Sequence, residues 1–256
     1  MNLINFSNIP PTVYWWPQSL DAVKHRFSRS KLGPLWVILN TVIYVLTLSF
    51  IFSNVFGNDF NTTISYIGIG IILWNYMSLS FTDCCNSFIE NASSVQNSMT
   101  PILSYPLRSL SVNFLYFLLN LTFLAFLIIV FVEVNPFMIF CAAIGFILFS
   151  LNVFLFGIFL SVLSVRFRDI PFLISNFLQI MFFVTPIIWS LDNLGKRFYF
   201  LELNPFYLFI ELVRAPLLSN EINGKALIFA VLFLLFSLVV LKVIIEKNMK
   251  KIPLWT

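Results

Sequence analysis

Charged side chains are scarce in this chain. Of its 256 residues only 10% are Asp, Glu, Lys or Arg, while 59% are hydrophobic; a soluble domain carries about 25% charged residues. No soluble core of this length buries so much apolar surface, so lipid must be the solvent for much of the chain. The scarcity is sharpest in the middle of the long apolar stretches, which hold no Asp, Glu, Lys, Arg or His. Secondary transporters and pumps use such groups to carry protons or coordinate ions, so their absence argues against ion-coupled transport. A G-x-x-x-x-G-K-[ST] loop is also missing, and any ATP that powers transport must be held by another chain. A single histidine, His25, and the lack of an H-E-x-x-H or similar cluster give metal catalysis no support. Cys84, Cys85 and Cys141 make no disulfide framework and read as apolar filler. The N-terminus has no basic segment followed by an apolar run, so no cleaved signal peptide is expected.

What remains is long apolar runs. A helix needs about 20 residues to cross roughly 30 Å of hydrocarbon, and six stretches qualify, near 34–56, 64–82, 110–132, 137–165, 171–190 and 225–245. The expected fold is all-α and polytopic: a six-span domain over 34–245, preceded by a segment 1–33 and followed by a tail 246–256. Lys24, Arg26, Arg29, Lys31, Arg108, Arg166, Arg168, Lys242, Lys247, Lys250 and Lys251 fall on one side of this arrangement. Positive residues collect on the cytoplasmic side, which predicts both termini there. In the first segment Val13, Trp16, Leu20, Val23 and Phe27 recur at helical steps, the stripe of an amphipathic helix lying on the inner leaflet or on a partner protein. The segment 191–224 mixes charged and aromatic residues. It is too apolar for a free loop and too charged for a span, and short re-entrant helices in the outer half of the bilayer fit both facts.

Uncharged polar residues inside the spans align at helical spacing. Trp36, Asn40, Tyr44 and Thr47 share one face, as do Gly68, Asn75, Ser78 and Thr82. Asn113, Tyr116 and Asn120 form a third face, and Asn176, Gln179, Phe183 and Ser190 a fourth. Helix–helix packing is the simpler account of any one face. The alternative is a lining for polar cargo, with aromatic rings stacking on sugars and amides bonding to hydroxyls. Carboxylates are scattered singly; Asp83, Glu90 and Asp169 keep a membrane enzyme in play without positive support.

Two blocks carry a resemblance. Arg26-Phe27-Ser28-Arg29-Ser30-Lys31-Leu32-Gly33-Pro34-Leu35-Trp36 resembles the motif that precedes the first span in type-2 ABC transporter permeases. Arg166-Phe167-Arg168-Asp169-Ile170, Thr185-Pro186-Ile187-Ile188-Trp189, Asn204-Pro205-Phe206 and Arg214-Ala215-Pro216-Leu217-Leu218 follow in the order of the O-antigen branch. Thr41 departs from the proline often found after Asn40. The resemblance implies a homodimer in the bacterial inner membrane with two copies of an ABC ATPase, which would bind ATP and Mg; this chain would hold no cofactor. It implies a polyprenyl-diphosphate-linked polysaccharide as cargo, contact with membrane lipids and no role for nucleic acid. Arg26, Arg29, Lys31, Leu32 and Gly33 would admit the head group. Trp36, Asn40, Tyr44, Asn75, Tyr116, Gln179 and Phe183 would line the channel. Glu90, Arg166, Arg168 and Asp169, on the loops 83–109 and 166–170, would couple to the ATPase. Asn204, Pro205 and Arg214 would form an outer gate. The same features leave open an exporter of another glycan, a lipid or a drug, or an enzyme of polysaccharide synthesis.

Overall fold

A computed structural model describes residues 11–97, 100–190 and 201–255. Every regular element among them is helical. Helix α1 (Trp16–Phe27) starts with Pro17 in its first turn, where a missing N–H costs nothing. It packs on the bundle: the buried Ser19 hydroxyl donates to the Arg108 carbonyl at 3.3 Å. Phe27 meets the Tyr116 ring edge-on at 6.4 Å. Val13, Trp16 and Leu20 stay exposed beside it, an apolar edge free for the leaflet. Gly33 then turns the chain with φ +54°, a left-handed conformation that a side chain resists, and its N–H donates to Ser30 Oγ at 3.2 Å.

Helix α2 (Leu35–Phe56) follows, then α3 (Phe60–Glu90), capped by Asp59, whose carboxylate accepts from the N–H groups of Asn61 and Thr62. Next come α4 (Ala92–Gln96), α5 (Ser104–Phe131), α6 (Pro136–Arg166) and α7 (Ile170–Val184). The last elements are α8 (Pro205–Leu218), α9 (Gly224–Asn248) and α10 (Ile252–Trp255). Asn135-Pro136 and Asn204-Pro205 start α6 and α8 in the same way. Each asparagine side chain caps the N–H two residues on, and each proline takes the first helical position.

Helix α3 is the axis of the bundle and packs against α2, α5, α6, α7 and α8. Ile67, Ile71 and Met77 on it are fully buried. Tyr76 sits among Phe117, Phe146 and Phe149, with Phe117 and Phe146 stacked at 4.2 Å. Lipid is as apolar as these rings, so close packing rather than escape from water holds them together. Helix α6 lies close against α8, where a Cβ on Gly145 would run into the Leu212 carbonyl. Helix α8 is buried without a break from Leu208 to Leu217. It has no face for lipid, which explains how a helix holding Glu211 and Arg214 sits among apolar neighbours.

Among the described residues, five helices are long and apolar enough to cross a membrane: α2, α3, α5, α6 and α9. They correspond to the expected spans near 34–56, 64–82, 110–132, 137–165 and 225–245, with α3 longer at both ends. The span expected over 171–190 is cut short. Helix α7 ends at Val184 after 15 residues, about 22 Å of rise. Pro186 holds Thr185 in an extended conformation (ψ 134°) and ends the helix. The segment 83–109 is not the loop expected. Helix α3 runs on to Glu90, and α4 and α5 occupy most of the rest. No glycine or proline between 83 and 90 interrupts α3. In 191–224, α8 supplies one helix; residues 191–200 lie outside the described residues. Both α1 and α10 sit at one end of the bundle, where α3 and α6 finish and α5 begins.

Candidate functional site

Three of the polar faces converge. A groove of about 630 Å³ runs between α2, α3 and α7. Asn40, Thr41 and Tyr44 come from α2, Asn75, Ser78 and Thr82 from α3, and Ser175 and Gln179 from α7. Trp74, Phe182 and Phe183 supply ring faces, with Trp74 and Phe182 at 5.8 Å. No wall residue is charged. Asn40, Tyr44, Gln179 and Phe183 are exposed. Within a bilayer an amide without a partner costs several kcal/mol, so this face demands water, cargo or another chain. Five of the seven expected lining residues meet here: Asn40, Tyr44, Asn75, Gln179 and Phe183. Tyr116 lines an adjoining pocket that shares Asn40, Thr41, Asn75 and Leu79 with the groove. Trp36, one turn before Asn40, is exposed and belongs to neither wall.

At the far end of the bundle the chain after α7 is tied down by polar contacts. Arg214 is 1% exposed. Its Nε and Nη2 both lie 2.7 Å from Glu211 Oε1, its Nη1 donates to the Pro186 carbonyl at 2.9 Å, and its guanidinium lies 3.9 Å from the Tyr66 ring centre. The Tyr66 hydroxyl donates to the same carbonyl at 3.2 Å. Asn204 donates to Thr185 Oγ1 at 3.0 Å while capping α8. The residues expected to gate, Asn204, Pro205 and Arg214, thus flank one turn, Thr185–Pro186, which closes over the end of α7. Tyr66 and Glu211, which make the guanidinium's pocket, escaped the sequence reading. Glu211 three residues before Arg214 on a helix was the available signal.

The opposite end is basic. Arg26 reaches from α1 to the Tyr116 hydroxyl at 3.2 Å, its guanidinium 5.3 Å from the ring. Arg29, Lys31 and Leu32 are exposed on the turn that Gly33 completes. Glu90 ends α3 exposed, and Arg166, Arg168 and Asp169 are exposed on the α6–α7 connection. A small core joins these ends: Phe88, Val95, Tyr105, Val162, Val165 and Ile252. Through it the C-terminal α10 becomes part of this face, which the sequence did not suggest. Trp255 lies under the Arg166 guanidinium at 5.6 Å, and its carbonyl accepts from Arg168 at 3.2 Å.

A multi-pass helical chain with an uncharged, aromatic groove open along its side has the form of a membrane transport subunit. Residues 21–218 match the ABC-2 type transporter family, and the chain belongs to it. It is 26% identical over 204 residues to the O-antigen export system permease protein RfbA of Klebsiella pneumoniae, with 78% of each chain covered. A second Klebsiella pneumoniae permease of that name is 27% identical over 205 residues, with the same coverage. The RfbA permease of Myxococcus xanthus is 22% identical over 186 residues, with 72% of each covered.

Proposed function

We propose that this chain is the membrane subunit of an ATP-driven exporter that moves a polyprenyl-diphosphate-linked polysaccharide outward across the bacterial inner membrane. The observation that carries the reading is the groove between α2, α3 and α7. Its amides and hydroxyls exchange hydrogen bonds with sugar hydroxyls, and the exposed Tyr44 and Phe183 offer ring faces to pyranose C–H surfaces. An uncharged lining lets a long chain slide without a deep binding minimum. Permeases similar to it are named for O-antigen export, which supports the cargo class.

Two copies would face each other across their grooves, so that the exposed amides of each meet water and cargo instead of lipid. Six spans would be completed by α7 together with the segment after it, and both termini would lie in the cytoplasm with the basic end. There a separate ABC ATPase, two copies per complex, would dock on α4, the α6–α7 connection and α10, and supply the ATP chemistry. Closure of the ATPases would separate the two permeases and release the Thr185–Pro186 turn at the far end.

Depleting the protein in its host tests this reading. Cell-surface glycan and intracellular lipid-linked glycan are quantified together. Export predicts loss at the surface with accumulation inside. Loss of both pools would point to synthesis, and no change in either would sink the proposal.

A further inference from the structure

Beside the groove lies a second pocket, of about 340 Å³, between α1, α2, α3 and α5. Its chemistry is different: Arg26 and Asp83 both line it, with Asn113, Asn120 and Tyr116 between them. The two charges do not form an ion pair. Arg26 is engaged with Tyr116, and Asp83 Oδ2 accepts from Asn113 Nδ2 at 2.8 Å. Asn120 is only 7% exposed, and its Oδ1 has no hydrogen-bond partner among the described residues. A buried amide oxygen left unmatched costs about 1–3 kcal/mol, and it lines the pocket wall where an incoming hydroxyl would satisfy it.

Depth fixes what reaches this pocket. Asp83 stands 23 residues after Phe60 on α3, about 35 Å along the helix. That exceeds the roughly 30 Å hydrocarbon core, so the pocket opens at head-group level on the end where α1 sits. A guanidinium there binds phosphate oxygens. A carboxylate repels them but accepts strongly from hydroxyls. An exposed cation and an exposed carboxylate, with the buried amides of Asn113 and Asn120 behind them, suit a ligand that is anionic at one point and polyhydroxylated next to it.

We infer that this pocket binds the sugar attached directly to the lipid diphosphate: Arg26 takes the phosphate, while Asp83, Asn113 and Asn120 take the hydroxyls of the first ring. The inference rests on the export reading and deepens it. The shared walls at Asn40 and Asn75 would hand the following sugars to the groove. Phosphatidylglycerol, also a hydroxylated phosphate, is the other source of this chemistry.

The test measures binding to the full chain in nanodiscs of phosphatidylethanolamine with three probes. These are undecaprenyl diphosphate, undecaprenyl diphosphate bearing a single hexose, and phosphatidylglycerol. The sugar-bearing probe is expected to bind at least about tenfold tighter than the bare diphosphate, the worth of one or two satisfied hydrogen bonds. Asn120→Leu and the shape-preserving Asp83→Asn should each erase that advantage, and Arg26→Gln should weaken both diphosphates. Equal binding of the two diphosphates by the wild-type chain, or an advantage that survives both variants, overturns the sugar site and leaves the export reading standing. Tighter binding of phosphatidylglycerol than of the sugar-bearing probe assigns the pocket to the leaflet's own lipid and also overturns it. Binding of none of the three would overturn both readings.

Discussion

Replacing Arg214 with methionine keeps the volume of the side chain and removes its charge. The guanidinium is 1% exposed and touches Glu211 through two nitrogens at 2.7 Å. The Glu211 side chain is itself only 11% exposed, so the carboxylate has little water to fall back on. Breaking a buried pair from one side costs about 3–5 kcal/mol, and the Pro186 carbonyl loses one of its two donors. Arg214→Met should therefore lower stability by about 4 kcal/mol. Arg214→Lys keeps the charge, but a point donor cannot reach Glu211 and Pro186 together, and it should cost about 2 kcal/mol. The double variant Arg214→Met, Glu211→Leu removes the orphaned carboxylate and should recover most of the loss, coming within about 2 kcal/mol of the parent. Denaturant titration of the purified chain in detergent, read by tryptophan fluorescence, gives all four values. If Arg214→Met and the single variant Glu211→Leu, titrated in the same way, simply add in the double, the pair is not a coupled unit and the reasoning about the Thr185–Pro186 turn fails.

Three further outcomes follow from the packing of the bundle and the groove. Gly145→Ala places a methyl group against the Leu212 carbonyl and should cost about 1–3 kcal/mol by pushing α8 off α6, measured by the same titration. Tyr44→Ala and Phe183→Ala strip exposed rings from the groove and should slow glycan export severalfold with unchanged unfolding. Trp36→Ala, outside both walls, should affect export less. Trp255→Ala removes the ring beneath Arg166 and should weaken coupling. Cargo-stimulated ATP hydrolysis by the complex would fall while the permease's unfolding midpoint moves little.

The long spans were legible because hydropathy over 20 residues is a strong signal and lipid leaves few alternatives to helix. The polar faces of α2, α3 and α7 that meet in the groove were legible for a related reason. An amide or hydroxyl recurring at helical spacing in an apolar helix is expensive, so its alignment is informative. The end of α7 was readable in principle from Pro186, but the apolar run Ile187-Ile188 continued the hydropathy past the break. Helix α3's extension to Glu90 was hidden because Asp83, Asn86 and Ser87 look like a loop in composition, while nothing in the backbone stops the helix. Residues 120 apart, such as Tyr66 and Pro186, could not be joined from one sequence at all. Pairings such as Arg26 with Tyr116, or Arg168 with Trp255, depend on which helices neighbour one another, and periodicity within a helix says nothing of that.

Translocation in a purified system tests the central claim most directly. The chain and its ATPase partner are reconstituted into liposomes loaded with the host's lipid-linked glycan, and glycan reaching the opposite leaflet is measured with a membrane-impermeant lectin. The account predicts transfer that requires ATP hydrolysis and falls severalfold with Tyr44→Ala and Phe183→Ala. Transfer at the same rate without ATP, or no transfer by a complex that hydrolyses ATP in response to another lipid, would contradict it.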